Sequence, residues 1–417
     1  MSDGAVAGSL TRAAGRITFR YEDDWRRLPD ATPLSVSMPL TARDHPARVV
    51  EPWLWGLLPD SEPVLARWAR EFHTTTVHPL GLLARVGEDL PGSFQIVAPD
   101  QLDSLRTDGS VEWLSAKQVA GLLRDVRADP TAWLGRGAEG RWSLAGAQPK
   151  IALRREGKRW GRPHGRAATT HILKPAIEGL DDHDLNEHLC LRAGRLLGLR
   201  TVRTEIVSFG DERAIVVERY DRLTQPNGAM VRVHQEDMCQ ALSVPPELKY
   251  ESDGGPTAAD VATVLQDHIP GRAGQAAVSD FADALAFSWI IGAPDAHAKN
   301  FALLLAGRQV RMAPLYDIGS ALPYPDSYEP KLKLAMKVGR KDLASRIGSD
   351  DWVDMAAALR LDADELLSRI RSMCETVSDA LATVGADPAI AEIGSPLPAV
   401  LLDRVTIRAK RCAERLK

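Results

Sequence analysis

Cysteine is scarce in this 417-residue chain, and Cys190, Cys239, Cys374 and Cys412 stand far apart with no Cys-x-x-Cys pair. Neither a zinc site nor a disulfide framework is expected from such spacing, and reduced, buried thiols are the default. Long apolar runs are also missing. No stretch approaches the ~18 uninterrupted apolar residues of a membrane span, and MSDGAVAGSLTRAAGR lacks the apolar centre of a signal peptide. The expectation is a cytoplasmic protein without membrane insertion. An excess of one charge is absent too: with a net charge of −4, the chain as a whole carries no electrostatic footprint for nucleic acid or anionic lipid, so any DNA contact is local or borrowed from a partner. Lysine is thin, 12 against 40 arginines, which makes Lys150, Lys174 and Lys299, each inside a motif, informative. What is present is a 44% apolar composition in a chain long enough for two or three domains.

The pattern changes character along the chain. From about 8 to 103, GRITFRY and PLSVSMPL read as short strands and VEPWLWGLLPDSEPVLARWAREF as helix, a small α+β unit. From 104 to 222, LSAKQVAGLLRDVRAD reads as an amphipathic helix with Ser115 as N-cap. The runs PKIALRRE, THILKPA, TEIVSFG and RAIVVERYDR read as strands, interrupted by the helix DLNEHLCLRAGRLLGL. From 223 to 417 the periodicity is almost wholly helical, beginning with HQEDMCQALSV and ending with PLPAVLLDRVTIRAKRCAERL.

A strand-rich segment followed by a helical one is the layout of a protein kinase, whose chemistry needs few parts in fixed order. Those parts are a strand lysine, a helix glutamate, an Asp with an Asn five residues on, and a later metal-binding Asp. Here they are Lys174 at the end of THILK, Glu187 on the next helix, Asp295 and Asn300 in GAPDAHAKNF, and Asp317 in PLYDIG. A strand lysine holds phosphates while a helix carboxylate orients its ammonium; Asn and Asp oxygens suit the hard Mg²⁺ ion; Asp295 accepts the proton of a substrate hydroxyl. Each residue alone also has an ordinary reading, as a surface lysine, a solvated glutamate or a turn-starting aspartate. Asp295 and His297 are spaced like metal ligands as well, but no His-Glu-x-x-His or third-ligand cluster accompanies them. No Gly-x-Gly-x-x-Gly precedes Lys174. GAEGRWSLAGAQPKIAL stands there instead, its Ala145, Gly146 and Ala147 small enough to bring backbone N–H groups near phosphates, with Lys150 adding charge.

In this order SLAGAQPK, HILKP, NEHLCLRAG, VVERYDR, QEDMCQAL, KYESDGGP, DAHAKNF and APLYDIGSA resemble the HipA family of toxin serine/threonine kinases, from about residue 8 to the end. The amino-terminal subdomain of that family is matched by PLSVSMPL, LLPDSEPV and GLLARVGEDLPGSFQIV. The resemblance implies a two-lobed, protein-kinase-like α+β fold with Asp295 as catalytic base and Asn300 and Asp317 on Mg²⁺. It implies ATP against Ala145, Gly146, Ala147, Gln148 and Lys150, against Lys174, against the hinge residues Glu218, Arg219 and Tyr220, and against His297, Lys299, Asn300, Tyr316 and Asp317. Asp221 is either within reach of a ribose or holds the hinge turn, and the same resemblance implies Ser143 as the autophosphorylation position. The family departs from this chain in often carrying Asn and a small polar residue where Ala293 and Pro294 precede Asp295, and sometimes an acidic residue at Pro149. Implied partners are a helix-turn-helix antitoxin of the HipB kind, operator DNA reached only through it, and a protein substrate such as an aminoacyl-tRNA synthetase. Two other readings compete: a catalytically silent corepressor, against which the retained Lys174, Asp295, Asn300 and Asp317 speak, and a small-molecule phosphotransferase, which gives no reason for the amino-terminal subdomain.

Overall fold

In RITFRY every second residue is apolar, and Ile17, Phe19 and Tyr21 are buried accordingly. Arg16–Tyr21 pairs antiparallel with Gly8–Ala13 and, on its other edge, with Asp44–His45. The computed structural model describes residues 1–417 except 3, 75–77, 107–108, 135–140, 226–228 and 325–330. Two compact units emerge, each assembled from three stretches of chain: 1–177, 207–247 and 302–311 in the first, and 178–206, 248–301 and 312–417 in the second.

In the first unit, helices Ala47–Trp55, Glu62–Glu71 and Pro79–Val86 accompany that small sheet. Their apolar stripes bury Trp53, Trp68, Leu54 and Leu83, each fully buried leucine contributing about 1.5–3 kcal/mol. A second sheet of six strands runs in the order Ser110–Leu114, Arg159–His164, Ile151–Glu156, His171–Lys174, Glu212–Glu218, Thr204–Phe209. Helix Ala116–Ala128 begins at Ser115 as expected: its hydroxyl accepts from the Gln118 N–H while the Gln118 side chain returns to the Ser115 N–H. In the second unit, Arg272–Ile291 is apolar on most sides and is packed by Ala258–His268, Ala363–Gly385 and Leu397–Arg415. Buried Arg408 donates to the Trp289 carbonyl at 3.0 and 2.8 Å, tying the last helix to it. No helix among the described residues is long and apolar enough to cross a membrane.

Three readings differ from the structure. PLSVSMPL forms a tight turn with an isolated Ser35–Met38 bridge. Its backbone donors are taken by side chains, Leu34 N–H by the Tyr21 hydroxyl and Val36 N–H by Glu236, so little is left for a strand ladder. HQED, read as the start of a helix, is the strand His234–Asp237, paired with Ala302–Ala306; only Met238–Ala241 is helical, capped by Asp237. The helical end also holds, among the described residues, the antiparallel pair Arg222–Thr224 with Met230–Arg232 and two further hairpins, Ala302–Ala306 with Gln309–Met312 and Lys333–Val338 with Lys341–Leu343. The latter two each turn at a left-handed glycine, Gly307 and Gly339.

Candidate active site

The apolar helix Arg272–Ile291 ends at Gly292, φ 66°, whose N–H returns to the Ser288 carbonyl. A Cβ there would lie 2.8 Å from Leu322, so glycine is required twice over. The chain leaves this stop directly into the Asp295 loop. The Asp295 carbonyl accepts from the His297 N–H at 2.8 Å and from Asn300 Nδ2 at 2.6 Å, which closes the Asp-x4-Asn interval into a small ring. Because Asn300 gives its NH₂ to that carbonyl, its amide oxygen is the end left for a cation. The Asp295 side chain remains 55% exposed; Oδ1 accepts from the Tyr250 hydroxyl at 2.7 Å and Oδ2 lies 3.7 Å from His297 Nε2. Burial lowers the pKa of His297, and the charge of Asp295 offsets this only in part.

Asp317 sits beside this loop with φ 58°, a left-handed conformation that a non-glycine residue holds only when its surroundings impose it. The surroundings do so on both sides. Tyr316 donates to the Lys299 carbonyl at 2.6 Å. Three residues on, Ser320 gives its hydroxyl to the Ile291 carbonyl, and both its backbone groups bond the Asn186 amide at 2.7 and 3.0 Å. Asn186 belongs to helix His183–Leu196, which also carries buried Glu187. Asp295, Asn300, Tyr316 and Asp317 thus line one small cavity. No three His, Cys, Asp or Glu side chains converge among the described residues. Of the residues lining the cavity, the Asp317 carboxylate and the Asn300 amide oxygen make the sparse hard pair that Mg²⁺ can take up together with phosphate oxygens and water.

The other residues singled out in the sequence, apart from Lys299, belong to the first unit. Ser143 is fully buried, its hydroxyl donating to the Leu57 carbonyl at 2.7 Å and its N–H to the Asp89 carbonyl at 3.0 Å. Gly146 has φ 97°, the left-handed conformation that favours glycine, and accepts from the Asp60 N–H at 3.1 Å. Lys150 bonds the Ala145 carbonyl at 2.7 Å and lies over the Trp133 ring. Buried Gln148 Nε2 has no hydrogen-bond partner. A loop of small residues with an orphaned donor and a lysine beside it fits an anionic phosphate group. Residues 137–140, at the head of the same quoted stretch, lie outside the described residues.

Lys174 is buried at the end of its strand, opposite Ile215, and Glu218 lies opposite His171 on the same pair of strands. Arg219 spends its guanidinium on Asp221, Thr169 and the Leu90 carbonyl, while Tyr220 donates to Gln235 at 2.6 Å. Asp221 is not poised for a ribose: it is buried and accepts from the Gly92 N–H, Arg219 and Arg222 at 2.7–2.8 Å, so it holds the turn. Asp89 completes this network with Arg222, Arg219, Arg232 and Thr169. Burial alone would raise its pKa, but the three guanidiniums override it and hold the carboxyl well below the usual carboxylate range. The sequence reading gave Asp89 and Tyr250 no role; GEDLPG and KYESDGGP, quoted for the family, were the available signals.

A family model described as the HipA-like C-terminal domain matches residues 142–381, and one described as the HipA N-terminal domain matches residues 1–97. The chain is 35% identical over 410 residues to Y4mE of Sinorhizobium fredii, a proposed kinase, covering 98% of this chain and 96% of that one. It is 27% identical to the serine/threonine-protein kinase toxin HipA of Shewanella oneidensis, over 91% of this chain and 87% of that one. Among solved structures, the Shewanella oneidensis HipA, HipB and operator DNA complex matches with a TM-score of 0.82 at 24% identity, over 98% of this chain and 95% of that one. That likeness gives the fold, mixed α and β, two-lobed and kinase-like with the additional amino-terminal subdomain. With both of its domain models matched in order, this chain belongs to the HipA family.

Proposed function

We propose that this protein is an ATP- and Mg²⁺-dependent serine/threonine kinase acting as the toxin of a toxin–antitoxin pair. The observation that carries the reading is the meeting of Asp295, Asn300 and left-handed Asp317 at one cavity. Asp295 presents an exposed carboxylate to accept the proton of a protein serine or threonine hydroxyl. Asn300 and Asp317 offer oxygens to Mg²⁺. Ala145, Gly146, Ala147, Gln148, Lys150 and Lys174 are assigned to the phosphates, Glu218, Arg219 and Tyr220 to the base through backbone groups, and His297, Lys299 and Tyr316 to the nucleotide from the side of the catalytic loop. Mg·ATP, when bound, supplies the phosphoryl group and a cation that neutralises its oxygens.

The Shewanella protein is named a kinase toxin and is seen with HipB and operator DNA, which supports a HipB-like, helix-turn-helix antitoxin as partner here, with DNA reached through it. The substrate is proposed to be a translation protein such as an aminoacyl-tRNA synthetase, with growth arrest as the result and self-phosphorylation of Ser143 as the brake. The test is incubation of the purified chain with γ-labelled ATP, Mg²⁺ and a bacterial extract, followed by identification of labelled proteins. Label on serine or threonine of the chain and of an extract protein is expected; no label on any protein would overturn the reading.

A further inference from the structure

KYESDGGP is built as a short arm whose end reaches the catalytic loop. Tyr250 precedes the single turn Glu251–Asp253, and the chain then reverses: the Gly254 N–H returns to the Glu251 carbonyl at 3.1 Å and the Gly255 N–H to the Tyr250 carbonyl at 3.0 Å. Both glycines are imposed. Gly254 has φ 86°, and a Cβ on Gly255 would stand 1.9 Å from the Leu248 carbonyl oxygen.

Three anchors hold the arm. The Lys249 carbonyl accepts from the Ala298 N–H at 3.3 Å, inside the Asp295–Asn300 interval. The Glu251 carboxylate accepts from the Lys337 N–H at 2.7 Å and pairs with its ammonium at 3.3 Å. The strand bearing Lys337 is itself bonded to the catalytic loop, Ala335 N–H to the Pro294 carbonyl at 3.0 Å. Between these ties the Tyr250 ring packs edge-on against His297, centroids 5.0 Å apart at 82°, and its hydroxyl donates to Asp295 Oδ1 at 2.7 Å.

We infer that Tyr250 is a positioning residue for Asp295: the fixed phenol pins one carboxylate oxygen and so orients the other toward the acceptor hydroxyl. The inference rests on the reading of Asp295 as the base. An aspartate side chain more than half exposed otherwise rotates among several staggered states, and general-base catalysis depends on its being within hydrogen-bond reach at the right angle. An incidental surface contact would not come with two obligatory glycines, a packed ring, a backbone tie at Lys249 and a carboxylate tie at Glu251.

The test compares wild type, Tyr250→Phe, Tyr250→Ala, Asp295→Asn and the Tyr250→Phe/Asp295→Asn double variant. Each is read for the initial rate of label transfer from γ-labelled Mg·ATP into protein, the chain itself and extract proteins both counted, together with ATP titration and thermal melting. Tyr250→Phe keeps the ring and is expected to lower kcat about tenfold, as for loss of one hydrogen bond to a charged group, with ATP affinity and melting unchanged. The double variant should be no slower than Asp295→Asn. A Phe variant transferring at the wild-type rate overturns the inference, as does one whose slower transfer is matched by weakened ATP binding or a lowered melting temperature. Should Asp295→Asn itself transfer normally, the reading of the base has failed; should it fail to transfer while Tyr250→Phe is normal, only the role of Tyr250 is wrong.

Discussion

Asp89→Ala would leave Arg219, Arg222 and Arg232 with Asp221 as the remaining carboxylate of a network in which Arg219, Arg222 and Asp221 are all at most 6% exposed. Thr169 would lose the acceptor of both its N–H, at 2.9 Å, and its hydroxyl, at 2.6 Å. Breaking a buried ion pair by removing one partner costs about 3–5 kcal/mol, because the surviving charge stays desolvated. At about 2–4 °C per kcal/mol for a unit of this size, the melting temperature should fall by roughly 6–20 °C. The pH dependence has a definite sign. Asp89 is held below its unfolded value of about 3.9, so its contribution is present in full above that pH and is lost as pH falls toward the lower native value. Calorimetry of wild type and variant should therefore show a constant gap from pH 7 down to about 5, closing below about 4. A shift under about 2 °C at pH 7 would refute the stabilising role of the network.

Asp317→Ala removes one of two proposed cation ligands and should weaken nucleotide binding in the presence of Mg²⁺ by tenfold or more, with little change when Mg²⁺ is withheld; ATP titration with and without the metal reads both, and equal affinities in wild type and variant would count against the assignment. Ser143→Ala gives up the bond to the Leu57 carbonyl and should cost about 1 kcal/mol of stability. The same variant should abolish self-phosphorylation, read by intact mass and peptide mapping. Wild-type Ser143 should be modified slowly, because its hydroxyl is buried and must leave its seat first.

What could be read in the sequence was local. Ser115 with Gln118 three residues on marks a helix start in any context, and the Asp295–Asn300 interval with its following Asp317 marks, by spacing, the loop that the structure gathers at one cavity. What escaped depended on partners distant along the chain. HQED has the residue types of a helix, and becomes a strand because Ala302–Ala306 lies beside it. Asp221 was equally compatible with a ribose and with a turn until Gly92, 129 residues earlier, was found donating to it. Tyr250 had no visible use because its partner Asp295 is 45 residues away. PLSVSMPL shows the opposite failure: its alternation suits a strand, but side chains of Tyr21 and Glu236 claim its backbone donors.

On the proposed mechanism Asp295 acts on the acceptor hydroxyl and not on the nucleotide. This role is tested most directly by measuring, on one preparation of Asp295→Asn, both Mg·ATP affinity and phosphoryl transfer to protein. Affinity should stay within about twofold of wild type while transfer falls about 10²–10⁴-fold, the usual worth of a general base. Transfer at the wild-type rate by a variant that still binds Mg·ATP would contradict it.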